Sequence, residues 1–143
     1  MTKPQRKSAT PKTRITAEQR RDWRTLPTEH WNVLTFTEFF RGMNADLYGV
    51  EYAPLRNWRF EQGVIKRQLD EYGPEILRAA FEEAFRTYRP TGDYPILTAG
   101  FACAYRINTI IPRLLAERAD AERRKAELTT QQAVSATELK NVW

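Results

Sequence analysis

The sequence predicts an all-α fold: a compact bundle of four to five helices with a disordered basic N-terminal arm and a charged C-terminal helix. Three observations carry this. From Arg56 to Tyr88 two amphipathic helical patterns meet at Gly73-Pro74, a Phe-rich stripe at helical spacing runs from Phe36 to Leu47, and the stretch from Ile96 to Ile111 is apolar nearly all round. An α+β arrangement with a small hairpin near Trp31 to Leu34 is the alternative these residues leave open.

In chain order, residues 1 to 15 are rich in Lys, Arg, Pro, Thr and Ser and have little to bury, which predicts a disordered arm. Residues 16 to 27 form a short capped helix and linker. Thr16 and Gln19 have the spacing of a capping box, in which each side chain satisfies an amide the helix start leaves free. The helix should run to about Arg24 and stop at Leu26-Pro27. Trp23, among Arg20, Arg21 and Arg24, is either an anchor to the body or a stacking surface for nucleic acid, and the anchor is the commoner use of a lone Trp.

A core domain is expected over residues 28 to 118. Thr35 and Glu38 suggest a second capping box, with Leu34 and Phe39 as its hydrophobic staple. The stripe Phe36, Phe39, Phe40, Met43 and Leu47 follows, up to Gly49. Val50 to Pro54 reads as a connector. In the next helix Trp58, Ile65, Leu69 and Tyr72 share one side, and Arg56, Arg59, Lys66 and Arg67 fall on the other. Gly73 ends that helix and Pro74 begins the next, because Gly tolerates positive φ after a helix end and Pro suits the first helical position. Leu77, Ala80, Phe81, Ala84 and Tyr88 form the buried face of the second helix.

A turn-rich loop at 89 to 95 leads into the apolar stretch 96 to 111. A helix without a polar face belongs in the middle of a bundle, so this one is expected at the centre, with the core around Phe101 and Tyr105. Pro112 should kink or restart it. Residues 113 to 128 are dominated by charge, with Asp120–Arg124 and Arg123–Glu127 at i,i+4 spacing and a thin seam of Leu and Ala. A charged helix end and a loose tail are expected over 119 to 143, with Leu139, Val142 and Trp143 as an apolar tip.

Charge is unevenly placed. The chain of 143 residues carries +5, with eight basic and two acidic side chains in residues 1 to 24 and 15 basic and 16 acidic in the rest. The excess therefore sits on a basic arm attached to a nearly neutral body, a distribution suited to polyanions. One cysteine, Cys103, forms no internal disulfide and has apolar neighbours, which suggests a buried thiol in a reducing compartment, the cytoplasm. No run approaches the roughly 18 apolar residues a membrane span needs.

Most enzyme chemistry lacks its residues here. One Cys and one His, His30, cannot build a zinc or iron site, and a Cys103–His30 nucleophile pair would have to join a polar segment to a buried helix. There is no P-loop. Glu82 and Glu83 diverge by about 100° on their helix and read as a solvated face. No cofactor and no catalytic group are expected. What remains is binding. Arg56, Arg59, Lys66 and Arg67 fall within about 100° of arc around the small Gly63, where a phosphate backbone can approach. With the arm they make up the expected nucleic-acid-binding set: Lys3, Arg6, Lys7, Lys12, Arg14, Arg20, Arg21, Arg24, Arg56, Arg59, Lys66 and Arg67.

The run Trp58 to Leu69 with I-K-R-x-L, then Y-G-P-E, a helix, Y-P-I-L at 94 to 97 and a closing apolar helix resembles small phage and plasmid replication proteins of the replisome-organiser and helicase-loader type. The resemblance spans roughly residues 36 to 115. It implies an all-helical, non-enzymatic DNA-binding accessory of a phage or mobile element, acting in replication; the missing P-loop departs from ATP-dependent loaders. A protein-interaction adaptor or structural phage protein, recruiting a partner through residues 113 to 143, is the alternative.

Overall fold

The computed structural model describes residues 14–142 and is all-α. Its helices are α1 (Ala17–Arg21), α2 (Val33–Tyr48), α3 (Trp58–Tyr72), α4 (Pro74–Thr87), α5 (Ala99–Phe101) and α6 (Ile107–Val142), with a 3-10 turn at Thr28–His30 and a π turn at Ala102–Arg106 between α5 and α6. No strand occurs among the described residues, so the hairpin alternative at Trp31 to Leu34 is overturned: Val33 already opens α2. Lys3, Arg6, Lys7, Lys12 and Trp143 lie outside the described residues. Among those described, no helix is long and apolar enough to cross a membrane.

The Thr16 capping box forms as expected, with Gln19 N donating to Thr16 Oγ1 at 3.1 Å and Thr16 N to Gln19 Oε1 at 2.8 Å. The helix stops at Arg21, earlier than the Arg24 expected, because the chain turns at Asp22, whose carbonyl accepts from Leu26 N at 3.0 Å. That turn carries Trp23 out of helical register and into the body. Its ring meets Phe39 edge-on at 5.3 Å and lies against Gly42, so the anchor reading holds.

The N-cap of α2 lies three residues before the expected one. Asn32, not Thr35, is the N-cap: Thr35 N donates to Asn32 Oδ1 at 3.1 Å and Asn32 N to Thr35 Oγ1 at 3.2 Å. Asn is among the strongest N-cap residues, and the earlier start puts Thr35 and Phe36 inside the core, with Leu34 in the first turn instead of stapling from outside. The helix ends at Gly49 with φ +68°, the left-handed conformation glycine adopts without Cβ strain.

The core is an aromatic cluster centred on α2. Phe36, Phe39, Phe40, Phe81 and Phe85 are buried, with neighbouring rings 4.8 to 6.3 Å apart, mostly edge to face, the arrangement that ring quadrupoles favour. The expected centre at Phe101 and Tyr105 is therefore incorrect. Phe101 is half-buried and Tyr105 is 68% exposed. Ala102, Ile107, Ile110 and Ile111 form the one buried edge of this helical stretch, and Ala104, Tyr105, Asn108 and Thr109 face out. Ala and Thr serve either side of a helix, so the stretch looked apolar all round when it has a single packed edge.

Between α3 and α4 the joint forms as read from the sequence, with Gly73 at φ +84°, its N–H donating to Leu69 O at 2.9 Å, and Pro74 at the first position of α4. Leu77, Ala80, Phe81 and Ala84 are fully buried on α4. The 96–98 stretch is not helical and is clamped to α2 by Asn44, whose amide donates to Leu97 O and whose Oδ1 accepts from Leu97 N, each at 2.9 Å. α5 thus starts at Ala99, capped by Thr98, later than the Ile96 expected.

Pro112 neither ends nor restarts the last helix, which continues to Val142, so the loose tail expected within residues 119 to 143 is helical as far as Val142. From Leu115 to Ser135 almost every residue is exposed and the helix leaves the body. Along it the ion pairs are Arg113–Glu117 at 2.9 Å, Arg118–Glu122 at 4.0 Å and Arg123–Asp120; the expected Asp120–Arg124 and Arg123–Glu127 pairs do not form.

Candidate nucleic-acid interface

α3 turns its arginines to solvent because its other side is committed to the core. Ile65 is buried and Trp58, Leu69 and Tyr72 pack against the cluster, which leaves Arg59, Lys66 and Arg67 exposed on the opposite side. Asn57 caps the helix by accepting from Phe60 N at 2.8 Å. Arg56 therefore precedes the helix and is not on its wheel; it is exposed, and its guanidinium lies 4.8 Å from the centre of the Phe60 ring. The arc is not purely basic. Asp70 falls within it and pairs with Lys66 at 2.8 Å. Among the described residues Arg56, Arg59 and Arg67 have no carboxylate within 4.0 Å, and the space over Gly63 is open.

The remaining expected residues sit elsewhere. Arg14 and Arg21 are exposed. Arg20 donates to the His30 carbonyl and so ties α1 to the 3-10 turn, whereas Arg24, in the turn after α1, pairs with Asp46 of α2 at 2.9 Å while stacking on Trp23 at 4.3 Å. They belong to a different element from the α3 arc, and sequence position alone had grouped them with it.

Two features escaped sequence reasoning. One is Glu61, on α3 but 1% exposed. Its carboxylate accepts from the Tyr52 hydroxyl, from Gly100 N at 2.8 Å and from Leu55 N at 3.2 Å, and Ala99 N donates to Tyr52 Oη at 2.8 Å. Burial, then the neighbouring carboxylate, holds the Tyr52 phenol protonated far above its usual range. This network fastens the 52–55 connector and the start of α5 onto α3.

The second is an open groove of about 760 Å³ beside that network, with Leu55, Tyr88, Arg89, Tyr94, Phe101 and Tyr105 on its walls. Tyr88 Oη reaches Tyr94 O at 2.7 Å and Ile96 O at 3.0 Å, which fixes the loop that forms one wall. Its only sequence signal was an aromatic residue, Tyr94, inside a turn-rich loop.

Cys103 is half-buried, and its thiol is pushed up to about 12, first by burial and then by Glu61, against an opposing effect of Arg67. A thiol so held is not a thiolate nucleophile near neutrality. His30 lies 3.4 Å from Glu29, on the 3-10 turn. Among the described residues no three His, Cys, Asp or Glu side chains converge as a metal site. Comparison of the chain with protein-family models, with curated proteins and with solved structures finds no match.

Proposed function

We propose that this protein is a non-enzymatic DNA-binding accessory of a phage or mobile element, acting in replication in the cytoplasm of the host cell. The observation that carries the reading is the outward surface at α3: Arg59 and Arg67 on the helix and Arg56 just before it, all exposed and without carboxylate partners among the described residues, with open space over Gly63. A folded surface that leaves several guanidinium groups uncompensated attracts phosphates and releases their counterions. The pattern from Trp58 to Leu97 that resembles phage and plasmid replication proteins and the basic excess of residues 1 to 24 support the same reading. Fluorescence anisotropy with mixed-sequence DNA over a salt series tests it. Binding at low salt that weakens steeply with added salt is expected; absence of binding, or binding indifferent to salt, overturns it.

A second reading rests on α6. From Leu115 to Val142 it extends about 40 Å at 1.5 Å per residue, and the body covers almost none of it up to Ser135. Such a helix suits a protein-recruiting adaptor. Capture of a partner that survives nuclease treatment and is lost on removing residues 115 to 143 would favour this reading over the first.

A further inference from the structure

We propose that the groove between Tyr94 and Tyr105 takes the unpaired bases of single-stranded DNA, an inference that rests on the DNA-binding reading and specifies the form of the ligand. Tyr94 and Tyr105 are each 68% exposed and Leu55 53% exposed, an unusual concentration of apolar surface left to water around one groove. Phe101 lies 5.1 Å from Tyr105 and continues the aromatic wall inward.

Cations frame these rings. Arg89 lines the groove. The Arg106 guanidinium lies 5.7 Å from both the Tyr88 and Phe101 rings, and Arg56 lies over Phe60. Phe60 and Leu55 both abut Gly100, where an added Cβ would come within 3.0 and 2.9 Å of them, so Arg56 stands at the Leu55 edge of the groove. Among the described residues none of these three arginines has a carboxylate within 4.0 Å, and Asp93 is the one acidic residue on the groove wall.

The complementary ligand carries repeated negative charge and flat apolar faces together. Single-stranded DNA has both, whereas a duplex presents phosphates but keeps its base faces stacked inside. Aromatic platforms bind any base through its π face, so recognition here is tolerant of sequence. The platform is held ready: the Thr91–Tyr94 turn closes on itself with backbone bonds of 3.1 and 3.2 Å, Tyr88 pins the same loop, and Glu61 holds Leu55 and Gly100 from below.

The test compares a fluorescent oligothymidylate with a mixed-sequence, blunt-ended two-strand duplex on the full chain. Tyr94→Ala with Tyr105→Ala is expected to weaken oligothymidylate binding by about tenfold or more and to change duplex affinity by less than about twofold. Tyr94→Phe with Tyr105→Phe, which keeps the rings, should bind as the parent does. Both side chains lie mostly in water, so the thermal melt reports that each variant is folded. Equal loss for both DNA forms, or no loss, overturns the assignment. If the parent binds DNA and the alanine pair is indifferent, the groove assignment alone fails; if the parent binds neither form, the DNA-binding reading fails with it. A dimer that the alanine pair dissociates without changing oligothymidylate affinity assigns the groove to a second copy and overturns the proposal. So does an acidic Phe-containing peptide whose binding the alanine pair abolishes while oligothymidylate still binds.

Discussion

Glu61 and Tyr52 form a buried acid–phenol pair that ties three segments together. The carboxylate of α3 accepts from the phenol of the connector, and each partner also receives a backbone N–H from the start of α5. Removing the carboxylate leaves the Tyr52 hydroxyl and the Gly100 and Leu55 amides without an acceptor. Glu61→Ala should therefore destabilise by about 3 kcal/mol, and Glu61→Gln by less because it keeps one acceptor oxygen. Urea unfolding measures both. A loss below about 1 kcal/mol for the alanine variant would show that water replaces the carboxylate at little cost.

Arg59 and Lys66 are exposed on the outer arc of α3. Replacing both by Ala should weaken DNA binding across sequences alike and flatten the salt dependence by roughly one to two units of slope, while stability changes by no more than about 0.5 kcal/mol per site. Lys66 is already paired with Asp70, so Arg59 should account for the larger share. Deleting residues 1 to 15 should act in the same direction. If the arm deletion abolishes binding and the double variant leaves it intact, α3 is only a solvated surface.

Cys103 supplies a pH dependence of known sign. Its folded-state pKa is raised from 9.0 to about 12, mainly by burial. Folding therefore favours the protonated thiol, and that contribution is fully present below about pH 9 and is lost as pH rises toward about 12. The stability difference between the parent and Cys103→Ala should narrow across that window, as followed by denaturant titrations at several pH values. Thiol alkylation at pH 8 should be much slower than for a free cysteine, and rapid alkylation there would contradict the burial.

Gly42 is where Trp23, from the turn after α1, docks on α2. A Cβ there would fall 2.7 Å from Trp23 Cζ2, closer than such atoms approach. Gly42→Ala should push the indole out and cost about 1–3 kcal/mol despite the better helix propensity of Ala. A red-shifted tryptophan emission would report the displacement.

The projecting part of α6 adds little to the body. Ending the chain after Leu115 removes no buried residue of the aromatic cluster, so the melting temperature should move by only a few degrees. A cooperative loss of the fold on this truncation would mean that the projecting helix supports the body.

The sequence by itself determined that the chain is helical, where α3 hands over to α4, where α2 ends and which side of α3 is apolar. Each of these rests on local chemistry: glycine at positive φ, proline at a first turn, and a 3.6-residue repeat of large apolar side chains. It also set the exposure of Arg59, Lys66 and Arg67, since the core claims the opposite side.

What only the tertiary structure decided is which helix lies at the centre and which polar groups go inside. Phe101 and Tyr105 lost the centre to the Phe cluster of α2 and α4, because five large rings bury more surface together than a helix of Ala, Thr and Ile. α2 starts from Asn32 and not from the expected Thr35, which instead closes the capping box as the third helical residue, from inside the core. Glu61 and Asn44 carry no sequence mark of burial; their partners are Gly100 and Leu97, 39 and 53 positions away, and backbone amides are anonymous in a sequence. The groove walls come from Leu55, Tyr94 and Tyr105, three separate segments, and long-range packing is the only force that brings them to one place.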